Sequence, residues 1–314
     1  MGAANAYCCC TREAIPGDKN LAALRDGSRL VLRSEAKVAH KIQVATGHFR
    51  LRLAWKDPGT APRLTTGEHL MLYAPNRTGQ VYRKWCGQAD EEFGHSEIAR
   101  RYTPVAGDPT AGWYDVVVQL VTPEMAPPDG GKFSHFAGSL SSGSSLGVSG
   151  PHGLYRYLGA GRFERRCGSA AAEEVRATDV ALVAKGSAIN TVMNLAQMVA
   201  REKEDAPKLW IIAAARGADA VLHRSAVEGL AAQRPGRINL WYTLENGEAP
   251  EGWPYGTGSL SKALAAEHMP PPGRTVLVVS LGSQGAQKAC EEGVRALGLE
   301  KSLVGLWHWN EELD

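Results

Sequence analysis

The chain has 314 residues, 44% of them hydrophobic and 22% charged, with a formal net charge of +2. These are globular values: no stretch approaches the roughly 18 to 20 apolar residues of a membrane-crossing helix, and so small a charge leaves no footprint for nucleic acid. The length favours two domains. The charge is uneven, with 22 Lys+Arg against 17 Asp+Glu in residues 1–178 and 13 against 16 in residues 179–314. Either the first half is basic enough to steer an acidic partner or the surface charge is merely scattered.

Residues 1–27 read as an N-terminal tail. It opens MGAANAYCCC, without the basic flank and apolar core of a secretion signal. Gly2 behind Met1 fits an N-myristoylation signal, and Cys8, Cys9 and Cys10 could take palmitate, which together make the two signals a stable peripheral anchor needs. Ala6 stands where that motif prefers Ser or Thr, so the other reading is a disordered tail. The six cysteines, completed by Cys86, Cys167 and Cys290, form no C-x-x-C pair and no metal-ligand spacing. This points to an intracellular, reducing compartment and to no metal site.

Residues 28–165 carry strand signals. HFRLRLAW (48–55) alternates apolar Phe49, Leu51, Leu53 and Trp55 with Arg50, Arg52 and Ala54, the pattern of a half-buried strand. Strands are also predicted at 67–75, 112–121 and 145–158, separated by Gly/Pro-rich turns at the spacing of an antiparallel barrel. Residues 77–99 have no clear period and read as a long surface loop. Residues 166–178 read as a linker.

From 179 to 314 strands alternate with helices: DVALVA (179–184) and a helix over 189–203, KLWIIAAA (208–215) and a helix over 219–233, INLWYTL (238–244) and a helix over 259–268, TVLVVSL (275–281) and a helix over 284–297. Buried apolar strands in this order predict a parallel sheet covered by helices on both faces. Ligands of such a sheet bind at the C-terminal ends of its strands, which places Lys185 to Asn190, Glu245 and Ser280 to Ser283 around one crevice.

Three short motifs occur in order in the first half: RRYTP (100–104), GGKFS (130–134) and GPHG (150–153). With the long segment LWYTLENGEAPEGWPYGTGSL (240–260) and AAEHMPPP (265–272), they resemble the NADH-cytochrome b5 reductase family of the ferredoxin reductase superfamily, from about residue 35 to the C-terminus. The resemblance implies an antiparallel FAD-binding β-barrel followed by a Rossmann-like, NAD-binding α/β domain, with FAD as cofactor and NADH as co-substrate. The family's R-x-Y-T falls on Arg100, Tyr102 and Thr103, with Arg101 in the place of the usual proline. Arg100 would form charge-assisted bonds to the FAD diphosphate, and Tyr102 would lie flat beside the flavin or its ribityl chain. Thr103, the one catalytic residue expected, would offer its hydroxyl near flavin N5. Lys132, Phe133 and Ser134 would supply charge and backbone N–H groups to the phosphates and the adenine side.

The nicotinamide half departs from the family pattern. Its G-G-T-G-I-T-P-M falls on Lys185-Gly186-Ser187-Ala188-Ile189-Asn190-Thr191-Val192, so Lys185 and Ala188 put side chains where the family has hydrogen. Gly186, Ser187 and Asn190 keep the flexible turn and the hydrogen-bonding groups. The family's C-G-P-P falls on Ser280-Leu281-Gly282-Ser283 and has lost its thiol, while Cys290 reads as a core residue. Glu245 ends a strand where the family has an aspartate for the adenine ribose; a carboxylate there favours NADH over NADPH, unless it is a solvated loop residue. His135 and His152 read as structural. GLWHWNEELD (305–314) runs past the family's usual aromatic terminus.

The expected activity is transfer of electrons from NADH through FAD to an acidic heme protein such as cytochrome b5, docked on the basic first half. The alternative is a non-catalytic reductase-like subunit or scaffold of a larger assembly that keeps FAD, suggested by change at two separate nicotinamide elements.

Overall fold

The computed structural model describes residues 23–26, 29–153, 155–165, 172–202, 205–281 and 284–309. The candidate acylation site, Cys167, Gly282 and Ser283 lie outside the described residues.

The first half forms one curled antiparallel sheet. Its strands are β1 (Ala23–Asp26), β2 (Arg29–Ala45), β3 (His48–Ala54), β4 (His69–Pro75), β7 (Glu97–Tyr102), β8 (Ala106–Asp108), β9 (Trp113–Gln119) and β10 (Ser145–His152), in the order β7-β4-β10-β2-β3-β9-β8, with β1 on β2. β7 curls back into contact with β9, giving a half-barrel. A hairpin of β5 (Lys84–Trp85) and β6 (Gln88–Ala89) lies between β4 and β7. The short helix α1 (Lys132–Ser139) packs Phe133 and Ala137 into the barrel core beside Leu51, Leu53, Leu70, Leu72 and Val116. The predicted alternation on β3 holds, since Leu51 and Leu53 are wholly buried while Arg50 and Arg52 are not.

Two local expectations are corrected and one strand is added. The strand expected over 145–158 is two: β10 ends at His152, and β11 (Tyr155–Gly159) belongs to a small sheet with β12 (Arg162–Arg165) and β13 (Glu173–Arg176). Between them Gly153 takes φ +130, which few residues with a Cβ adopt. The loop expected over 77–99 stops earlier, because Glu97, Ile98 and Ala99 pair with Pro75, Ala74 and Tyr73. β2, mixed in polarity over 17 residues, was not anticipated; it pairs with β10 along one part and with β3, through bulges, along another.

The second half is a six-stranded parallel sheet of β14 (Asp179–Lys185), β15 (Lys208–Ala215), β16 (Ile238–Leu244), β17 (Gly256–Thr257), β18 (Val276–Leu281) and β19 (Leu303–Trp309), in the order β17-β16-β15-β14-β18-β19. Successive side chains of a strand face opposite ways. Val180, Leu182 and Ala184 accordingly meet α2 (Ile189–Arg201) and α3 (Arg224–Gln233), while Ala181 and Val183 meet α4 (Lys262–His268) and α5 (Gln284–Ala296). α3 begins later than the predicted residue 219 because His223 adopts the left-handed conformation, φ +55, after a single 3-10 turn. Ser261, whose Oγ accepts from the Leu264 amide, sets the start of α4. The aromatic C-terminal stretch is not a free extension: β19 is an edge strand, and Trp307 is buried against Tyr155 with ring centroids 4.5 Å apart.

Candidate functional site

β7 and the turn after β14 end at the same place. In the parallel sheet the chain lays β15 and β16 on one side of β14, then returns to add β18 on the other, so the crevice beyond the C-terminal ends of β14 and β18 is the switch point where such sheets hold ligands. Thr103, one residue past the end of β7, meets that crevice directly. Thr191 Oγ1 on the first turn of α2 donates to Thr103 Oγ1 at 2.9 Å, and Asn194 Nδ2 donates to the Pro104 carbonyl at 3.3 Å. Behind this contact the seam between the halves is narrow and largely apolar. Tyr155, Phe163, Leu182, Thr191, Leu195 and Trp307 leave about 40 Å³ of space between them, room for a water molecule and not for an aromatic ring.

The other first-half residues group along the C-terminal part of β7, next to Thr103. Tyr102 lies against Phe133, ring centroids 5.4 Å apart, and the Phe133 side chain is wholly buried, so only the Phe133 backbone faces a ligand. Ser134 Oγ accepts from the Val121 amide at 2.9 Å and also lies 3.3 Å from the Gln119 carbonyl, which ties the start of α1 to β9. Among the described residues no side chain caps α1, which leaves the partial positive charge of its first turn available. Arg100 and Lys132 converge beside it. A guanidinium, an ammonium and an uncapped helix start form a donor set that fits the diphosphate of FAD.

Both cations already hold carboxylates. Arg100 Nη1 and Nη2 donate to Glu92 Oε1 and Oε2 at 2.7 and 3.1 Å. Lys132 Nζ lies 2.5 Å from Asp90 Oδ1 and 3.3 Å from Glu92 Oε2. Burial pushes the Glu92 carboxyl up, but its bond to Arg100 and the charges of Arg100 and Lys132 outweigh this and hold it below the usual carboxylate range. Neither Asp90 nor Glu92 was singled out from the sequence; the available signal was the acidic run Asp90-Glu91-Glu92 a few residues before Arg100.

In the second half Lys185, Gly186 and Ser187 are half-buried at the mouth of the crevice. Gly186 takes φ +61, and a Cβ there would meet nothing within 4 Å among the described residues. The Ala188 methyl does not obstruct the turn, being wholly buried in the core with Ile189 and Val192. Lys185 reaches across the end of β15 to Glu245, which follows β16: its Nζ lies 2.9 Å from Glu245 Oε1, with the two side chains 37% and 20% exposed. Asn190 is buried, its Oδ1 2.8 Å from His223 Nε2. Burial, aided by the charges of Arg50 and His48, pushes His223 down to about 4; the ring is therefore neutral, with Nε2–H donating to Asn190. Ser280 is buried and its hydroxyl has no hydrogen-bond partner among the described residues. Cys290 is fully buried on α5, and burial pushes its thiol up, as a core residue requires.

Two family models match the chain, one in each half. The oxidoreductase FAD-binding domain family matches residues 86–157 and the oxidoreductase NAD-binding domain family residues 182–291. NADH-cytochrome b5 reductase 2 of Xenopus laevis is 35% identical over 207 residues, which cover 65% of this chain and 69% of that protein. The chain belongs to the NADH-cytochrome b5 reductase family. NADH-cytochrome b5 reductase 1 of Bos taurus is 33% identical, over 65% of this chain and 67% of its own. The cytochrome b5 reductase domain of Ulva prolifera nitrate reductase superposes with a TM-score of 0.73 at 21% identity, covering 88% of this chain and 97% of that one, and so shares its fold.

This member of the NADH-cytochrome b5 reductase family is therefore an oxidoreductase, with its FAD-binding domain preceding its NAD-binding domain. No group of three or more His, Cys, Asp or Glu residues among the described ones is placed to hold a metal ion, and no helix among them is long and apolar enough to cross a membrane.

Proposed function

We propose that the chain oxidises NADH through bound FAD and passes the electrons to an acidic heme protein docked on its basic first half. FAD held there would supply the capacity to take up hydride and to release electrons singly; the protein supplies position and charge. Arg100 and Lys132, with the α1 amides of Lys132, Phe133 and Ser134, hold the diphosphate, and Tyr102 presents a ring face to the flavin side. Thr103 keeps a hydroxyl at the seam. Gly186 and Ser187 offer backbone N–H groups to the dinucleotide at the sheet's switch point, and Glu245 supplies the carboxylate for the adenine ribose. Asn190 acts one step back, holding the turn in place through His223.

The observation that carries this reading is the Thr103–Thr191 hydrogen bond. It joins the strand bearing the flavin motif to the helix that follows the dinucleotide turn, so the two halves meet where a hydride could cross. The test is anaerobic: protein reduced by NADH is mixed with oxidised cytochrome b5 while the heme spectrum is followed. Heme reduction that slows with added salt is expected for docking of opposite charges. A reduced flavin that leaves the heme oxidised would exclude this acceptor class.

A further inference from the structure

The connection between β4 and β7 is far longer than its ends require. The two strands are antiparallel neighbours, with Pro75 opposite Glu97, and a turn of about two to five residues would join them. The chain instead runs out from Asn76 and back to Ser96, and this excursion is ordered. Asn76 Nδ2 donates to the carbonyls of Glu92 and His95 at 2.7 and 2.9 Å, and Tyr82 meets Phe93 edge-on at 5.0 Å. Cys86 and Gly87, both at positive φ, turn the β5–β6 hairpin.

The same segment is fastened over the start of α1. The amides of Gln80 and Cys86 donate to the Asp129 carboxylate at 2.8 and 2.7 Å, and Trp85 Nε1 donates to the Gly130 carbonyl at 2.7 Å. The Trp85 ring covers Lys132 Nζ at 5.1 Å from its centroid. Lys132 and Asp90 are each only 3% exposed. Their pair is therefore desolvated, unlike a surface ion pair. Two carboxylates thus bring the charge and acceptor oxygens of a diphosphate to the donor set that fits one. While these contacts stand, the charges of Lys132 and of the Arg100 fork are already matched by carboxylates.

We propose that Asn76–Ser96 is an autoinhibitory strap, with Asp90 and Glu92 standing in for the FAD diphosphate, and that cofactor loading requires its release. The inference rests on Arg100 and Lys132 being the diphosphate-binding residues. FAD and the strap compete for two cations, so the apparent FAD affinity is the intrinsic affinity reduced by the fraction of molecules with the strap released.

The test compares flavin-free wild type with the Asp90→Asn/Glu92→Gln variant, which keeps side-chain shape and removes both charges. Each is titrated with FAD by flavin fluorescence, and amide hydrogen exchange across 76–96 is measured with and without FAD. The expected results are binding at least about ten-fold tighter in the variant, as a population shift of that size gives, and faster strap exchange in FAD-loaded wild type. Equal or weaker FAD binding by a folded variant, or tight wild-type binding with unchanged strap exchange, would overturn the strap and leave the cofactor reading intact. Failure of both proteins to bind FAD would instead remove the cofactor reading, and the strap with it. If the double variant does not fold, Glu92→Gln alone releases Arg100 while Asp90 keeps Lys132, and a smaller tightening in the same direction is expected; this variant removes only a pair whose side chains are 21% and 24% exposed.

Discussion

Replacing Lys132 with methionine keeps a long unbranched side chain in place and deletes the buried ammonium. The charge left behind decides the magnitude. Asp90 is 3% exposed and lies 2.5 Å from Lys132 Nζ; in the variant its carboxylate keeps the Glu92 amide at 3.1 Å and loses its cation. Removing one partner of a buried pair costs about 3–5 kcal/mol, against about 0–1 for an exposed one. The cost arises from the uncompensated charge, so adding Asp90→Leu should recover most of the loss, giving a large coupling in a double-mutant cycle. Guanidinium unfolding followed by tryptophan fluorescence measures this, with Trp85 beside the pair as a local reporter. A loss below about 1 kcal/mol for Lys132→Met would show the pair to be solvated, and the desolvated contact between strap and helix would be refuted.

Two further outcomes follow from the second half. The His223 imidazole is pushed from its ordinary 6.5 down to about 4, so the folded state binds fewer protons than the unfolded state between those values. Its contribution to stability is full above pH 6.5 and is lost as pH falls toward 4; at 1.36 kcal/mol per pKa unit the loss between pH 7 and pH 5 is about 2 kcal/mol. Denaturant midpoints at the two pH values should converge in His223→Gln, and an undiminished difference would acquit His223. Lys185→Ala releases Glu245 from its 2.9 Å ion pair. Because that pair is partly exposed, stability should fall by less than about 1 kcal/mol, while half-saturation by NADH should occur several-fold lower; an unchanged or higher value would show that the pair does not compete with the nucleotide.

The parallel half was legible because buried strands declare themselves as unbroken apolar runs: ALVA, IIAAA and VLVV recur between helical periods and became β14, β15 and β18. Regular alternation was equally legible at β3. β19 was not, because LWHW carries no period and its burial depends on Tyr155 arriving from the other half. The three motifs placed Arg100, Tyr102, Thr103 and Lys132 near one another, but not the partners those side chains take. Asp90 and Glu92 are ordinary acidic residues until β4 and β7 pair and fold the segment between them over α1. The Thr103–Thr191 contact spans 88 positions of sequence, and Lys185 finds Glu245 only when β15 separates their strands. In each case a residue's neighbour in space is set by topology, which local sequence does not carry.

The account turns on electrons entering from NADH through a flavin held by the first half, and one spectrum tests it. The protein is loaded with FAD, freed of excess and oxygen, and its visible absorption recorded before and after addition of NADH. The account predicts that the bound flavin bleaches; an oxidised flavin spectrum that persists with FAD still bound would contradict it.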